Sequence, residues 1–205
     1  NLMASAPEKN VAIEKTKVRK MVQEVLNTMT GEQISVKSGH ITQQVIHSPW
    51  WKNADIVLAF CSMDKEVDTT EIIKAGLQAG KVVGIPRVAG RHLLFHQIQS
   101  LDEDFAVGYC GIKEPQAFWP VVDPARLASQ SIFVLTPGLA FDRKKNRLGR
   151  GKGFYDRLLA QLQAYHHLQV VPVGVCFVEQ LLERVPLVPH DHPVEMVITE
   201  NEIFS

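Results

Sequence analysis

The sequence predicts an α/β fold: an open, largely parallel sheet sandwiched by helices in three layers, with a small β-ribbon insertion. Two observations predict it. Short apolar runs, each the length of a buried strand, alternate with stretches whose apolar residues recur every three or four positions. The 205 residues show no repeat, low-complexity tract or linker, so residues 1–205 are expected to form one domain.

The elements follow in order. Ile13, Val18, Met21, Val22, Val25 and Leu26 lie at three- and four-residue steps, so 12–29 reads as an amphipathic helix stopped at Thr30-Gly31. Lys15, Lys17, Arg19 and Lys20 fall in its expected N-terminal half, where cations oppose the helix dipole and an outside anion would relieve them. Residues 1–10 are expected to be flexible, and Asn1 to Met3 carry no weight. A second helix over 33–47 ends at Ser48-Pro49. The run DIVLAFC at 55–61 reads as a buried strand, and 69–79 as a helix capped by Thr69 or Thr70 and stopped by Gly80. A strand at 81–85 closes at Pro86, 87–98 forms a ribbon turning at Ala89-Gly90, and 102–123 is irregular surface chain. The strand at 131–135 runs into Pro137-Gly138 and a long polar loop. A helix over 154–167, a strand over 170–177, a short helix over 179–184 and a strand over 196–199 complete the order. Ligands in such sheets bind beyond the carboxyl ends of the strands, which makes the loops 62–68, 137–153 and 178–180 the candidates.

Lys+Arg and Asp+Glu each total 22, so no global field draws the chain to nucleic acid or anionic membranes, and any anion site must be local. Neither nucleic acid nor membrane is expected as a partner. Three cysteines, Cys61, Cys110 and Cys176, are an odd number without zinc-ligand spacing, which fits reduced thiols. No apolar stretch approaches the ~20 residues that span a bilayer, and no signal-peptide core is visible, so a cytoplasmic address is expected.

The most informative segment is TPGLAFDRKKNRLGRGKGFYDRLL at 136–159. A strand feeds a loop with Gly149, Gly151 and Gly153, and a helix begins at once. Alternate glycines let backbone N–H groups converge, and the helix start adds partial positive charge, so phosphate is the natural guest. Seven basic residues, Arg143, Lys144, Lys145, Arg147, Arg150, Lys152 and Arg157, fall between positions 143 and 157, opposed within that span only by Asp156. The segment is not a P-loop, because Gly153 rather than Ser or Thr follows Gly151-Lys152. On spacing alone a flexible basic surface loop fits as well. Asp156, in the first turn of the expected helix, and Asp191, in the loop 189–193, could hold a Mg²⁺ accompanying a nucleotide. Asp156 fits equally a carboxylate interacting with the helix dipole. His190 and His192 beside Asp191 fit a solvent-exposed loop better than a transition-metal site.

The segment PGLAFD…NRLGRGKGFYDRLL resembles the signature of the 5-formyltetrahydrofolate cyclo-ligase family, also called methenyltetrahydrofolate synthetases. Other elements resemble the family in order: the basic helix from Lys15 to Arg19, Ser62-Met63 with Glu66-Val67-Asp68-Thr69, Ile85-Pro86-Arg87-Val88, Gly111-Ile112-Lys113-Glu114-Pro115, and Phe177, Gln180, Val185-Pro186, Asp191 and Ile198-Thr199-Glu200. Three positions depart from its pattern: Phe154 for a tyrosine, Glu195 for an aspartate, and Cys110 where an aromatic is common.

The resemblance implies a Rossmann-like three-layer α/β sandwich and ATP-dependent closure of 5-formyltetrahydrofolate to 5,10-methenyltetrahydrofolate, with ADP and phosphate released through a phosphorylated formyl group. It implies ATP contacts from Lys15, Thr16, Lys17, Val18 and Arg19, and from Arg147, Leu148, Gly149, Arg150, Gly151, Lys152, Gly153, Phe154 and Tyr155. It implies folate contacts from Cys61, Met63, Glu66, Arg150 and Tyr155, catalytic roles for Arg150 and Tyr155, and Mg²⁺ ligation by Asp156 and Asp191. The folate, polyglutamylated or not, is the expected partner of a monomer whose basic loop orders on binding ATP. For Glu66 alone, a solvated loop carboxylate is the bland alternative. The rival classes are a non-catalytic relative binding RNA or a protein through the basic loop, and a sugar-phosphate or CoA-using enzyme on a similar sheet. The intact glycines argue against the first, and the absence of a catalytic carboxylate constellation against the second.

Overall fold

The computed structural model describes residues 6–108 and 111–205. In chain order its elements are α1 (Ala6–Thr28), α2 (Gly31–His47), α3 (Pro49–Lys52), β1 (Ile56–Leu58), α4 (Thr70–Gln78), β2 (Val82–Ala89), β3 (His92–Ile98), β4 (Ala106–Val107), β5 (Lys113–Glu114), β6 (Ser131–Thr136), β7 (Ala140–Asp142), β8 (Arg147–Leu148), α5 (Phe154–Gln163), β9 (Gln169–Val175), β10 (Leu181–Leu182), β11 (Met196–Ile198) and β12 (Ile203–Phe204). Seven strands form the main sheet in the order β12-β11-β9-β6-β1-β2-β3. The pairs from β11 to β2 are parallel, and antiparallel β12 and β3 close the two edges.

Local chemistry explains the boundaries. Thr30 caps α2 with a reciprocal box: its hydroxyl accepts from Gln33 N at 3.1 Å, and Gln33 Oε1 accepts from Thr30 N at 2.9 Å. Ser48 ends α2 and at once caps α3, with Pro49 in the first helical position where no N–H is needed. Alternation in the strands divides the core. Ile56, Leu58, Ile132 and Val134 meet Leu158, Leu159 and Leu162 of α5 on one face. Val57, Phe133 and Leu135 meet Val22 and Leu26 of α1, Ile41 and Val45 of α2, and Ile72 and Ile73 of α4 on the other. Trp51 seals that layer edge-on to Phe133, with ring centroids 5.4 Å apart. The three-layer α/β architecture is the expected one.

Four expectations change. Helix α1 begins at Ala6, so Lys15 to Lys20 lie well beyond its first turn, and the dipole acts only within that turn. The helix thus covers residues 6–10 of the tail expected to be flexible, while residues 1–5 lie outside the described residues. The ribbon at 87–98 is no separate insertion. Strand β2 pairs with β1 through Val82–Gly84 and continues into a hairpin with β3, so the ribbon is the edge of the main sheet. The helix expected over 179–184 is a single 3₁₀ turn, Val178–Gln180, because Leu181 and Leu182 leave it to pair with Phe141 and Asp142. The polar loop 137–153 contains the β7–β8 hairpin of a three-stranded sheet, order β10-β7-β8.

That small sheet is pinned from beneath. The Phe141 ring lies where a Cβ on Gly138 would stand 2.6 Å from it, and it also occupies the space a side chain on Gly174 would need. Two glycines, one after β6 and one in β9, therefore admit a fully buried phenyl ring that anchors the loop. Among the described residues no helix is long and apolar enough to cross a membrane.

Candidate active site

The parallel strands run β2-β1-β6-β9-β11, so chain connections leave β1 in one direction and β6 in the other. Between such diverging strands the carboxyl ends leave a crevice. Phe60 and Cys61 follow β1, Pro137 and Gly138 follow β6, and all four line a cavity of about 390 Å³. Its remaining walls come from the loop holding Met63 and Glu66, the β2–β3 hairpin, the segment around Lys113 and Glu114, and the glycine loop with the start of α5.

Each glycine of the loop lies against a guanidinium. A Cβ on Gly149 would meet Arg147 Nη1 at 2.7 Å, one on Gly151 would meet Arg19 Cζ at 3.5 Å, and one on Gly153 would meet Arg157 Nη1 at 2.8 Å. Gly151 and Gly153 also hold φ of +97° and +67°, where side chains are disfavoured. The missing side chains thus let three cations approach the backbone from behind. Arg19 Nε donates to Gly149 O at 2.9 Å, tying α1 to the loop.

Arg147 is almost fully buried, its side chain 3% exposed, and Nη2 donates to Asp156 Oδ1 at 2.6 Å. Its Nη1 reaches Pro137 O at 3.3 Å, while Nε is buried without a partner among the described residues. The Tyr155 hydroxyl is also buried and unpartnered, and burial, with Glu66 nearby, pushes its pKa up. Two buried donors at one cavity, each lacking an acceptor, fit a ligand rich in oxygen acceptors. Across the cavity, Glu66 Oε2 accepts from Met63 N at 2.9 Å and Oε1 accepts from Arg150 Nε and Nη2. Burial pushes the Cys61 thiol up to about 11, with Lys113 acting the other way.

Two carboxylates stand behind the loop. Asp156 Oδ1 accepts from His192 N at 3.3 Å as well as from Arg147, and Asp191 Oδ2 accepts from Val188 N at 2.7 Å and from Lys15. The His192 contact brings the chain next to Asp191 up to Asp156. Among the described residues no three His, Cys, Asp or Glu side chains form a metal cluster. Carboxylate oxygens are the hard ligands that Mg²⁺ takes, one or two from protein with phosphate and water completing its shell, so the chemistry of Asp156 and Asp191 fits that ion.

Residues 11–200 match the model of the 5-formyltetrahydrofolate cyclo-ligase family. The chain belongs to this family. A Schizosaccharomyces pombe relative named probable 5-formyltetrahydrofolate cyclo-ligase is 28% identical over 203 residues, covering 95% of this chain and 98% of its own. The Escherichia coli 5-formyltetrahydrofolate cyclo-ligase is 30% identical over 188 residues, covering 90% and 100%. The solved structure of Aquifex aeolicus 5,10-methenyltetrahydrofolate synthetase aligns over 92% of this chain and 91% of that one, with a TM-score of 0.76 and 30% identity.

Most of the residues that the family resemblance singled out converge. Cys61, Met63, Glu66, Arg147, Gly149, Arg150, Lys152, Gly153, Phe154, Tyr155 and Asp156 line the cavity. Lys15 and Arg19, one helical turn apart on α1, back it through Asp191 and Gly149. Gly151 lies against Arg19. Thr16 and Lys17 are exposed on other sides of α1, the Thr16 hydroxyl donating to Ala12 O, and Val18 packs against the core. Leu148 is buried in that core too, which leaves only its backbone to the loop. Cys110, the position departing from an aromatic, lies outside the described residues.

Sequence reasoning passed over several contributors. Gln180 Nε2 donates to Gly138 O and Leu139 O at 3.0 and 3.1 Å, holding the turn after β6. Asp142, 1% exposed, accepts from Lys144 N, Asn146 N, Asn146 Nδ2 and Val185 N and so shapes the β7–β8 turn. Pro86, Val88 and Leu93 of the hairpin wall the cavity. Gln180, Asp142, Pro86 and Val88 carried a signal only as members of the family's pattern, and Leu93 carried none.

Proposed function

We propose that this chain uses ATP to close 5-formyltetrahydrofolate to 5,10-methenyltetrahydrofolate, releasing ADP and phosphate, in the cytosol. The observation that carries the reading is the meeting of the basic glycine loop and the Glu66 loop on one cavity at the β1–β6 crevice, in a member of this family.

In this reading the γ-phosphoryl group passes to the formyl oxygen. The bond to the β-phosphate breaks and its electron pair leaves on ADP. The folate arylamine nitrogen then attacks the activated formyl carbon, the ring closes, the nitrogen loses its proton, and the C–O bond breaks to release phosphate. An amide oxygen leaves poorly by itself, so phosphorylation makes closure feasible. The chain contributes mainly position and positive charge, as phosphoryl transfer requires. Arg147, Lys152 and the loop N–H groups hold the triphosphate, with Lys15 and Arg19 behind it. Arg150 reaches the transferring group. Glu66 accepts hydrogen bonds from the pterin, against a wall of Cys61, Met63 and Tyr155. Asp156 and Asp191 would hold Mg²⁺, which neutralises charge on the phosphates.

The test is absorbance of the methenyl chromophore from purified protein, 5-formyltetrahydrofolate and Mg²⁺, with and without ATP. Appearance only with ATP supports the reading. No chromophore from folded, nucleotide-binding protein would replace it with a non-catalytic role.

A further inference from the structure

Arg157 belongs to the basic cluster by sequence, yet its guanidinium is engaged with the protein. Nε donates to Arg91 O at the tip of the β2–β3 hairpin at 2.7 Å, and Nη2 donates to Lys152 O in the glycine loop at 2.8 Å. The same guanidinium lies over the Phe154 ring, 5.5 Å from its centroid. Its Nη1 occupies the space beside Gly153 that a Cβ would take. Arg157 therefore touches both sides of the cavity: the hairpin that supplies Pro86, Val88 and Leu93, and the loop that supplies Lys152 and Gly153.

We propose that Arg157 is a positioning residue, a brace that sets the spacing between the hairpin wall and the glycine loop. Its donors serve two backbone carbonyls, one on the hairpin and one in the loop. A guanidinium suits the task because its donors are fixed in one plane and can serve two acceptors while that plane stacks on a ring. A lysine ammonium keeps the charge but not the plane. In the function proposed above, on which the kinetic part of this inference rests, the loop holds the triphosphate and the hairpin walls the cavity that both substrates share. Loss of the brace should then weaken both substrates together.

The experiment compares wild type, Arg157→Ala and Arg157→Lys. Amide hydrogen exchange without ligands should quicken at both 89–92 and 151–153 in each variant, while α5 beyond its first turn keeps wild-type protection. KM for ATP and KM for 5-formyltetrahydrofolate should both rise, between about five- and fiftyfold, with kcat changing less. Faster exchange at only one of the two segments, a rise confined to KM for ATP, or full rescue by lysine would each overturn the brace. The last outcome would make Arg157 a simple phosphate cation. A wild type that binds no nucleotide and forms no methenyl product would sink the proposed function instead. Exchange at the two segments would still decide the brace.

Discussion

Arg150 and Glu66 hold each other across the cavity: Nε and Nη2 of the guanidinium donate to the same carboxylate oxygen, at 3.1 and 2.8 Å. One residue belongs to the phosphate side of the proposed site and the other to the folate side. Substrates that engage either must compete with this pair, so the two sides are coupled through it. Arg150→Ala should lower kcat by about 10²–10³, the usual loss when one donor to developing charge is removed. Its melting temperature should stay near wild type, since an ion pair with a partly exposed guanidinium adds little stability. Near-normal turnover in that variant removes the role given to Arg150.

Glu66→Gln keeps the shape but weakens acceptance from the pterin. KM for 5-formyltetrahydrofolate should rise about tenfold or more, in line with about 1.5–3 kcal/mol for hydrogen bonds to charged groups. Steady-state kinetics at saturating ATP measures it, and an unchanged KM would leave Glu66 as Arg150's partner alone.

Asp156→Asn removes the carboxylate facing a guanidinium that is 3% exposed. Leaving that charge unpaired should cost about 3 kcal/mol or more in urea unfolding. The Mg²⁺ concentration for half-maximal turnover should also rise. A stable variant with an unaltered Mg²⁺ requirement contradicts both parts.

The cavity thiol gives a pH dependence. The Cys61 thiol, ordinarily near 9.0, is pushed up to about 11 by burial despite Lys113. The folded chain keeps the proton where the unfolded chain releases it. The associated stability is therefore present in full below pH 9 and lost as pH rises through about 11. Urea midpoints between pH 8 and 11 should fall less steeply in Cys61→Ala than in wild type. Parallel slopes would place the alkaline loss elsewhere, for instance at Cys176, whose burial raises its pKa as well.

What could be read from the sequence followed the range of the interactions. The glycines and cations of 147–153 act on their neighbours, so the local pattern suggests a phosphate guest, a reading that spacing alone shares with a flexible basic loop. Strands β1, β6 and β9 are buried on both faces, and a plain apolar run is enough to find them. Strands β7 and β8 are two or three residues long and too short to show a period. They are held in part by remote contacts that no local pattern encodes: the Phe141 ring fills the space beside Gly174 of β9, and Asp142 accepts from Val185 N, 43 positions on. Gln180 reaches Gly138 across 42 positions for the same reason. Thr16 and Lys17 are contiguous in sequence with Lys15 and Arg19, but a helix turns about 100° per residue and presents only the i and i+4 pair to the loop.

The Lys15–Asp191 contact joins residues 176 positions apart. During synthesis the glycine loop and both of its β-strand supports leave the ribosome well before residue 191 does. The basic stretch 147–153 therefore precedes Asp191 by seconds, at roughly 5–20 residues per second. Through that interval Lys15 lacks its carboxylate, and a cellular polyanion, ATP included, has a free lysine to greet.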